Sequence, residues 1–329
     1  MRFVVIGAGS WGTAIARLLS RRGHNVCLWA RQPVVAAQMG VARENTKYLP
    51  GVTLPDNLEI TTDLRAALSA DVIVLAVPSK AMRSIAEKLA ELGPVGAPMI
   101  SLAKGLDREQ KLRMSELIEK LTGNPRVFAL SGPSHAEEVG RDIPTAVVLA
   151  GKDDVLGGQL QRELSTARFR VYMSDDLVGV EICATIKNVI AIATGASDGL
   201  GYGDNSRAAL ITRGLAEMAR FGRVFGVHSK TLYGLSGLGD LVATCTSPHS
   251  RNRAVGERLG RGESLDCILS DMTMVAEGIY AARIIHELAH DREIDMPISN
   301  AVYRLLYGQS EAAQLVDEIM NRSPKREGT

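Results

Sequence analysis

Short aliphatic runs alternate with amphipathic stretches along the first half of the chain. The runs lie near residues 2–6, 25–29, 72–77, 98–102, 127–130 and 145–149. This alternation is typical of βαβ units and predicts a parallel sheet. The runs at 72–77 and 145–149 are apolar at consecutive positions, as expected of strands that are covered on both faces. The first half is therefore predicted to be a doubly wound α/β domain with helices on both sides.

From about residue 176 onward, the apolar positions recur with a helical period and no strand-like run intervenes. Helices are predicted over 178–194, 207–221, 251–260, 275–290 and 299–307. Glycine-rich breaks separate them at 195–205 and 234–240, where the backbone is expected to turn sharply or to approach something closely. We expect an α/β domain over residues 1–180 and an all-helical domain over 181–329, with a disordered tail at 323–329.

Composition narrows the function classes. The 329 residues are 46% hydrophobic, and 38 basic and 37 acidic residues give a formal charge of +1. This balance gives no net positive electrostatic potential that would hold nucleic acid or an anionic membrane. Any phosphate should therefore be bound by a few residues at one site. Four scattered cysteines predict neither a metal site nor a disulfide framework. We see no signal peptide and no apolar run of membrane-spanning length, so we expect a cytoplasmic protein without membrane insertion.

A glycine-rich loop follows the first predicted strand and opens a helix. It reads Gly7-Ala8-Gly9-Ser10-Trp11-Gly12. In a dinucleotide-binding loop the first glycine allows the tight turn, the second lets the backbone reach a pyrophosphate, and the third lets helix and strand pack closely. Free N–H groups at the helix start then hold the phosphates. The alternative is a turn that is only glycine-rich.

Arg31 comes at the end of the second strand, where an NAD-selective site usually carries a carboxylate for the ribose hydroxyls. A guanidinium suits a 2′-phosphate by its charge and its planar fork, so NADP(H) is favoured and NAD(H) remains possible. The alternative is a solvated surface arginine.

Lys187 lies in an otherwise apolar helical stretch, next to Asn188. Burying an unpaired ammonium is costly, so this side chain must reach solvent or serve a site. A ketone reductase needs a proton donor beside its carbonyl oxygen, and Lys187 is a candidate. Taken alone, a surface lysine is the alternative.

A polar loop after Asp240 leads into the helix predicted from residue 251. Ser250 lies at a natural N-cap position, with Arg251 and Asn252 in the first turn. The helix dipole disfavours a cation at this end, and an anionic ligand such as a phosphate resolves the conflict. The alternative is an ordinary cap with exposed arginines.

Motifs over nearly the whole chain resemble the NAD(P)-dependent glycerol-3-phosphate dehydrogenase family. They appear in the family's order and comprise residues 7–14, 45–51, 104–105, 131–134, 187–188, 237–252 and 277–278. The resemblance implies a Rossmann-like domain joined to an all-helical one, commonly as a homodimer, and reduction of dihydroxyacetone phosphate to sn-glycerol 3-phosphate for glycerophospholipid synthesis.

The resemblance also implies roles for individual residues. Lys187 would be the acid/base. The substrate contacts would be Lys104, Gly132, Ser134, Lys187, Asp240, Ser250, Arg251 and Asn252. The cofactor contacts would be Ser10, Trp11, Arg31, Lys104, Ala136, Arg251, Val275 and Glu277. Three positions depart from the family pattern, namely Ala103, His135 and Ala184, and His135 is expected to affect the pH profile more than the activity.

Three rival readings involve other functions. The HExxH motif of zinc proteases is matched by His286-Glu287-Leu288-Ala289-His290, and Glu311 is a possible third ligand. Helical geometry nevertheless predicts that both histidines face water, which argues against a buried catalytic zinc. A non-catalytic dinucleotide sensor would not need Lys187, Asp240 and Arg251 in a helical domain. A two-domain reductase of a 2-hydroxy acid would be expected to place its arginine for a carboxylate.

Overall fold

The computed structural model describes residues 1–272, 274–323 and 326, and the chain divides into two compact units. Unit 1 comprises Met1–Thr185 and Phe225–Asp240, and unit 2 comprises Ile186–Val224 and Leu241–Thr329. The tail expected at 323–329 lies largely outside the described residues.

Unit 1 holds the β-structure of the described residues. The strands are β1 (Arg2–Ile6), β2 (Asn25–Trp29), β3 (Glu44–Asn45), β4 (Leu49–Thr53), β5 (Leu58–Thr61), β6 (Val72–Leu75), β7 (Met99–Ser101), β8 (Val127–Ser131), β9 (Thr145–Ala150) and β10 (Phe169–Ser174). One sheet runs in the order β10-β9-β8-β7-β6-β1-β2-β5, and β3 pairs with β4. All the predicted strands are confirmed. The two edge strands of the sheet, β5 and β10, were not predicted, and neither was the β3–β4 hairpin.

The sheet is parallel except where β8 pairs antiparallel with β9. The connecting helix α5 (Ala136–Gly140) has five residues. It spans about 8 Å, whereas the strand it would have to retrace is about 17 Å long. The chain therefore turns back antiparallel, and the expectation of a wholly parallel sheet is wrong at this pair.

Side chains of the central strands are buried on both faces of the sheet. In β1, Phe3 and Val5 join one hydrophobic cluster, and Val4 and Ile6 join a second one on the other face. Helix α1 (Ser10–Arg21) covers the first face and helix α3 (Ser79–Glu91) the second. The doubly wound α/β prediction is confirmed. In β9, however, Thr145, Ala146 and Val148 are only half-buried, so the expectation that this strand is covered on both faces is wrong.

Beyond β10 the described residues form helices without strands, as predicted. They are α7 (Leu177–Gly199), α8 (Asp204–Val224), α9 (Ser229–Leu232), α10 (Asp240–Thr246), α11 (Arg251–Gly260), α12 (Leu265–Asp271), α13 (Glu277–Asp291), α14 (Pro297–Leu306) and α15 (Ala312–Met320). The remaining α-helices of unit 1 are α2 (Pro33–Ala42), α4 (Met114–Thr122) and α6 (Asp154–Leu164), and this unit also has a 3₁₀-helix at Leu64–Ser69 and a π-helix at Leu235–Gly239. The break expected at 195–205 begins only after Gly199, because α7 continues to that residue.

Helix α7 is 23 residues long and is apolar enough, by length and composition, to cross a membrane. The expectation that no apolar run reaches this length is therefore wrong. Most of the helix is enclosed by protein, since 89% of its apolar window is buried. This burial is typical of a core helix.

Helices α7 and α11 meet backbone to backbone in unit 2. A Cβ added to Gly256 would lie 2.0 Å from the Ile192 carbonyl oxygen, and one added to Gly195 would lie 2.0 Å from the Arg253 carbonyl oxygen. Gly199 and Gly260 make similar approaches one turn further on. Only glycine permits this separation, so these residues set the distance between the two helices.

We predict that Gly256→Ala destabilises the protein by about 1–3 kcal/mol, because its methyl group would push α7 and α11 apart. Gly40→Ala is the matched control, since Gly40 lies in exposed helix α2 with nothing within 4 Å of its added Cβ. That change should raise stability by up to about 1 kcal/mol through helix propensity. Urea unfolding of the two variants measures both effects, and equal stabilisation by both substitutions would contradict the close-contact interpretation.

Candidate active site

The glycine loop has the geometry that a dinucleotide requires. Gly7 has a φ of +119°, and its added Cβ would lie 2.8 Å from the Ala76 carbonyl oxygen. A Cβ on Gly12 would lie 1.9 Å from the Gly7 carbonyl oxygen, whereas one on Gly9 would meet nothing within 4 Å. The first and third glycines are therefore needed for packing. The open space at Gly9 fits the approach of a pyrophosphate to the backbone.

Asn45 contacts this loop, and Trp11 within it has an unpartnered donor. Asn45 is buried, and its Nδ2 donates to the Ala8 carbonyl oxygen at 3.0 Å and to Thr13 Oγ1 at 2.8 Å. Among the described residues, Trp11 Nε1 is a buried donor without an acceptor, which fits a ligand acceptor at the loop. Ser10 is buried at the start of α1. The role of Asn45 was not predicted, although it belongs to a motif of the family resemblance.

Arg31 is exposed and lies just past the end of β2. Because β1 and β2 are parallel neighbours, their carboxyl ends meet at one edge of the sheet. Arg31 and the glycine loop therefore follow adjacent strands at the same edge, where open α/β sheets bind ligands.

Three other predicted substrate residues surround the Lys104 ammonium in unit 1. Its Nζ donates to the Gly132 carbonyl oxygen at 3.0 Å, lies 3.5 Å from Ser134 Oγ, and pairs with Asp240 Oδ2 at 2.9 Å. Lys104 and Gly132 follow the adjacent parallel strands β7 and β8, and Ala136 begins α5 close by. Asp240 is 2% exposed, so this ion pair is shielded from water.

Gly132 has a backbone conformation that other residues rarely adopt. Its φ is +134°, and its added Cβ would lie 3.1 Å from Val147 Cα. The carbonyl oxygen also accepts a hydrogen bond from Ser134 Oγ at 2.9 Å. Glycine adopts this conformation without strain, and in it the carbonyl oxygen is directed at the Lys104 ammonium.

Lys187 is buried on α7 in unit 2, with 3% of its surface exposed. Its Nζ donates to Thr244 Oγ1 at 2.6 Å. The surface-lysine alternative is therefore excluded. Thr244 was not predicted. It lies one helical turn after Asp240 on α10, and this spacing, which places both residues on one face of the helix, could have indicated it.

The Cys183 thiol, one turn before Lys187 on α7, is not a rival nucleophile. Burial raises its pKa to about 12, and the charges of Asp176 and Asp240 act in the same direction. A thiol that stays protonated is a poor nucleophile.

The start of α11 has the predicted cap. Ser250 Oγ accepts from the Arg253 backbone N–H at 3.2 Å, and Arg251 and Asn252 occupy the first turn. Arg251 is exposed, and its Nη1 donates to the Val275 carbonyl oxygen at 2.8 Å. Glu277 begins α13 two residues later. Arg251 and two of the predicted cofactor residues therefore lie together.

Asn252 is more enclosed than a surface cap would be. Its Nδ2 donates to Asn188 Oδ1 at 2.9 Å, and its Oδ1 accepts from the Gly278 backbone N–H at 2.9 Å. A Cβ on Gly278 would lie 2.6 Å from the Asn188 carbonyl oxygen, so α13 begins in contact with α7. This network joins the starts of α11 and α13 to the Lys187-Asn188 pair.

The HExxH segment lies in α13. His286 was expected to face water, but its ring stacks on Tyr303 at 4.0 Å and its Nδ1 lies 2.9 Å from Asn300 Oδ1. That expectation is wrong because α14 packs against this side of α13. His290 is exposed as predicted, and Glu311 caps α15. The two histidines have different environments, and neither is turned toward a shared ligand set within the described residues.

The three departures from the family pattern have ordinary surroundings. Ala103 donates its N–H to Ser101 Oγ at 3.3 Å, and Ala184 is buried on α7. His135 is the half-buried N-cap residue of α5.

Known proteins similar to this chain cover it almost completely. Family models described as the N-terminus and the C-terminus of NAD-dependent glycerol-3-phosphate dehydrogenase match residues 2–156 and 176–317. The chain is 49% identical over 331 residues to a glycerol-3-phosphate dehydrogenase, NAD(P)+, from Prosthecochloris aestuarii, covering 99% of this chain and 100% of that protein. It is 47% identical to the corresponding protein of Chlorobium limicola, covering 99% of both.

A solved structure agrees with these matches. The crystal structure of glycerol-3-phosphate dehydrogenase from Coxiella burnetii has a TM-score of 0.94 and 40% identity, covering 98% of this chain and 99% of that one. Together with the glycine loop and the buried lysine, these similarities show that the chain belongs to the NAD-dependent glycerol-3-phosphate dehydrogenase family.

Proposed function

We propose that this protein catalyses the reversible NAD(P)H-dependent reduction of dihydroxyacetone phosphate to sn-glycerol 3-phosphate, which supplies glycerophospholipid synthesis. The observation that carries the proposal is the buried Lys187 amine, hydrogen-bonded to Thr244 at 2.6 Å, in a chain of this family. In keeping with the family resemblance, the enzyme works as a homodimer, and its free, scattered cysteines fit a reducing cytoplasm.

The glycine loop residues Gly7, Gly9 and Gly12, with Ser10 and Trp11, hold the cofactor's phosphates through backbone N–H groups. Lys104, Ala136, Arg251, Val275 and Glu277 complete its contacts. When bound, the reduced nicotinamide supplies a hydride to the carbonyl carbon of the substrate. The enzyme accepts NADH and NADPH, and Arg31 favours NADPH through its 2′-phosphate.

Lys187 acts as the proton donor. As the carbonyl oxygen gains negative charge, Nζ of Lys187 transfers a proton to it, and the product carries a hydroxyl group. Thr244 accepts a hydrogen bond from the same nitrogen and so limits the orientation of the lysine side chain. Lys104 contributes a second positive charge, which Gly132, Ser134 and Asp240 hold in place.

The phosphate of the substrate is bound at the start of α11. Ser250 and the guanidinium of Arg251 contact it, and the helix N-terminus adds its free N–H groups. Asn252 already uses its Oδ1 and one hydrogen of Nδ2 within the protein, so its second Nδ2 hydrogen makes the contact.

The direct test is a substrate screen that follows the absorbance of reduced nicotinamide. Dihydroxyacetone phosphate, pyruvate and ketopantoate are compared with each reduced cofactor. The proposal requires that the phosphorylated ketone be strongly preferred, and a preference for either 2-oxo acid would overturn it.

We predict that Arg31→Ala weakens NADPH binding by on the order of tenfold to a hundredfold, because one charge-assisted contact to the 2′-phosphate is lost. NADH has no such phosphate, so its dissociation constant should change little. Fluorescence titration with both cofactors measures the difference. Equal losses for both cofactors would exclude this role of Arg31.

We predict that Lys187→Ala lowers kcat by on the order of a hundredfold or more, because proton transfer and alkoxide stabilisation are both lost. NADPH binding should survive. Lys152→Ala is the control, since that side chain is exposed and pairs only across the surface with Glu119 among the described residues. If Lys187→Ala kept a near-normal kcat at saturating substrate, Lys104 would become the better proton donor.

We predict that Arg251→Ala lowers kcat/KM for dihydroxyacetone phosphate by roughly a hundredfold to several thousandfold. Removing one partner of a charge pair in a closed site costs about 3–5 kcal/mol. Reduction of dihydroxyacetone, which has no phosphate, should change little. Arg261→Ala is the control, because Arg261 is an exposed arginine at the opposite end of α11. An equal fractional loss on both substrates would place the phosphate site elsewhere.

A further inference from the structure

Asp198 is a shielded carboxylate near the end of α7 that holds two arginines. Its side chain is 9% exposed. Oδ1 accepts from Arg207 Nη2 at 2.7 Å, and Oδ2 accepts from Arg253 Nη1 at 2.7 Å. Each oxygen therefore binds a different guanidinium, one from α8 and one from α11. A carboxylate so removed from water is stable only while such partners are present.

Arg253 connects this carboxylate to the loop before α11. Its Nε donates to the Ser247 carbonyl oxygen at 3.2 Å, while its backbone N–H donates to Ser250 Oγ at 3.2 Å. The guanidinium is planar, so fixing Nη1 on Asp198 also fixes the direction of Nε. The same residue thus closes the segment from Ser247 to Ser250 with its side chain and with its backbone.

The position of Arg253 makes this restraint important for specificity. Arg253 lies two residues after Arg251, in the first turn of the same helix, where a bound phosphate would attract any free cation. Asp198 Oδ2 at 2.7 Å and Glu257 Oε2 at 3.2 Å both pair with Arg253 Nη1, Asp198 at the shorter distance. These carboxylates keep the guanidinium from acting as a second phosphate ligand. Arg251 is then the arginine that determines where the phosphate binds.

We propose that Asp198 is a positioning residue that acts through Arg253 to fix the loop Ser247–Ser250 and the direction of Arg251. This inference rests on the proposed function, since it assigns Asp198 to the selection of a phosphorylated ketone. The packing of α7 on α11 does not depend on Asp198, because the glycine contacts at Gly195 and Gly256 hold it. Loss of Asp198 should therefore affect substrate selection more than the fold.

The test compares full-length Asp198→Asn with the parent enzyme on dihydroxyacetone phosphate and on dihydroxyacetone. We expect kcat/KM to fall by about tenfold to a hundredfold on the phosphorylated ketone and by less than about threefold on the plain one, since misplacing a binding group also impairs the chemical step. Arg253→Lys should reproduce this split, because one ammonium nitrogen cannot replace both Nη1 at Asp198 and Nε at the Ser247 carbonyl oxygen. The double variant should be no worse than either single one, as expected of residues that act through each other.

Arg207→Gln is the matched control. It removes the other partner of the same carboxylate but leaves the loop contact of Arg253 in place, so it should lower the melting temperature without changing the ratio of the two substrates. Three outcomes would overturn the role of Asp198 while leaving the proposed function intact. They are the same change in substrate ratio for Arg207→Gln as for Asp198→Asn, an equal loss on both substrates for Asp198→Asn, and unchanged kinetics for Asp198→Asn. If the parent enzyme failed to prefer dihydroxyacetone phosphate, the proposed function would fall, and this inference with it.

Discussion

Direct contact between two backbones, possible only where a side chain is absent, determines the geometry of both units. In unit 1 the start of α1 lies against the turn that follows β1, and a methyl group on Gly12 would sit 1.9 Å from the Gly7 carbonyl oxygen. In unit 2 the same condition holds α7 against α11, at 2.0 Å for Gly256 and Gly195. No rotamer change can relieve a clash with backbone at these distances. The glycines therefore limit where the ends of α1 and α11 can lie, and those ends carry the groups that we propose bind phosphate.

The interior of the sheet could be predicted from sequence, and its edges could not. Central strands such as β6 are buried on both faces, so they read as unbroken apolar runs. The edge strand β10 alternates buried Phe169 and Val171 with exposed Arg170 and Tyr172, and this pattern does not stand out from a loop. The antiparallel step from β8 to β9 depends on the brevity of α5, which no apolar run reveals.

The site divides in a similar way. Residues whose role follows from neighbours along the chain could be predicted, as with the Ser250 cap and the glycine loop. Residues whose role depends on distant partners could be named only through the family resemblance, as Lys104 and Asp240 were, and the others could not be predicted. Thr244 is 57 positions from Lys187, and Asp198 is 55 positions from Arg253, so only folding brings each pair together. His286 shows the same limit, because the geometry of one helix does not reveal the aromatic ring that a second helix places on it.

The two hydrogen bonds that Asn45 donates to Ala8 and Thr13 affect the rate of cofactor binding as well as its geometry. A glycine-rich segment has the most conformational freedom to lose, and in many loops that loss occurs when the ligand arrives. Here the buried Asn45 amide already restrains the loop in the folded protein. The conformational entropy of the loop is therefore lost during folding, before the dinucleotide binds. Association should then be limited by diffusion and orientation, with no slow ordering step, and differences in affinity between the two cofactors should appear mainly in how fast each one leaves.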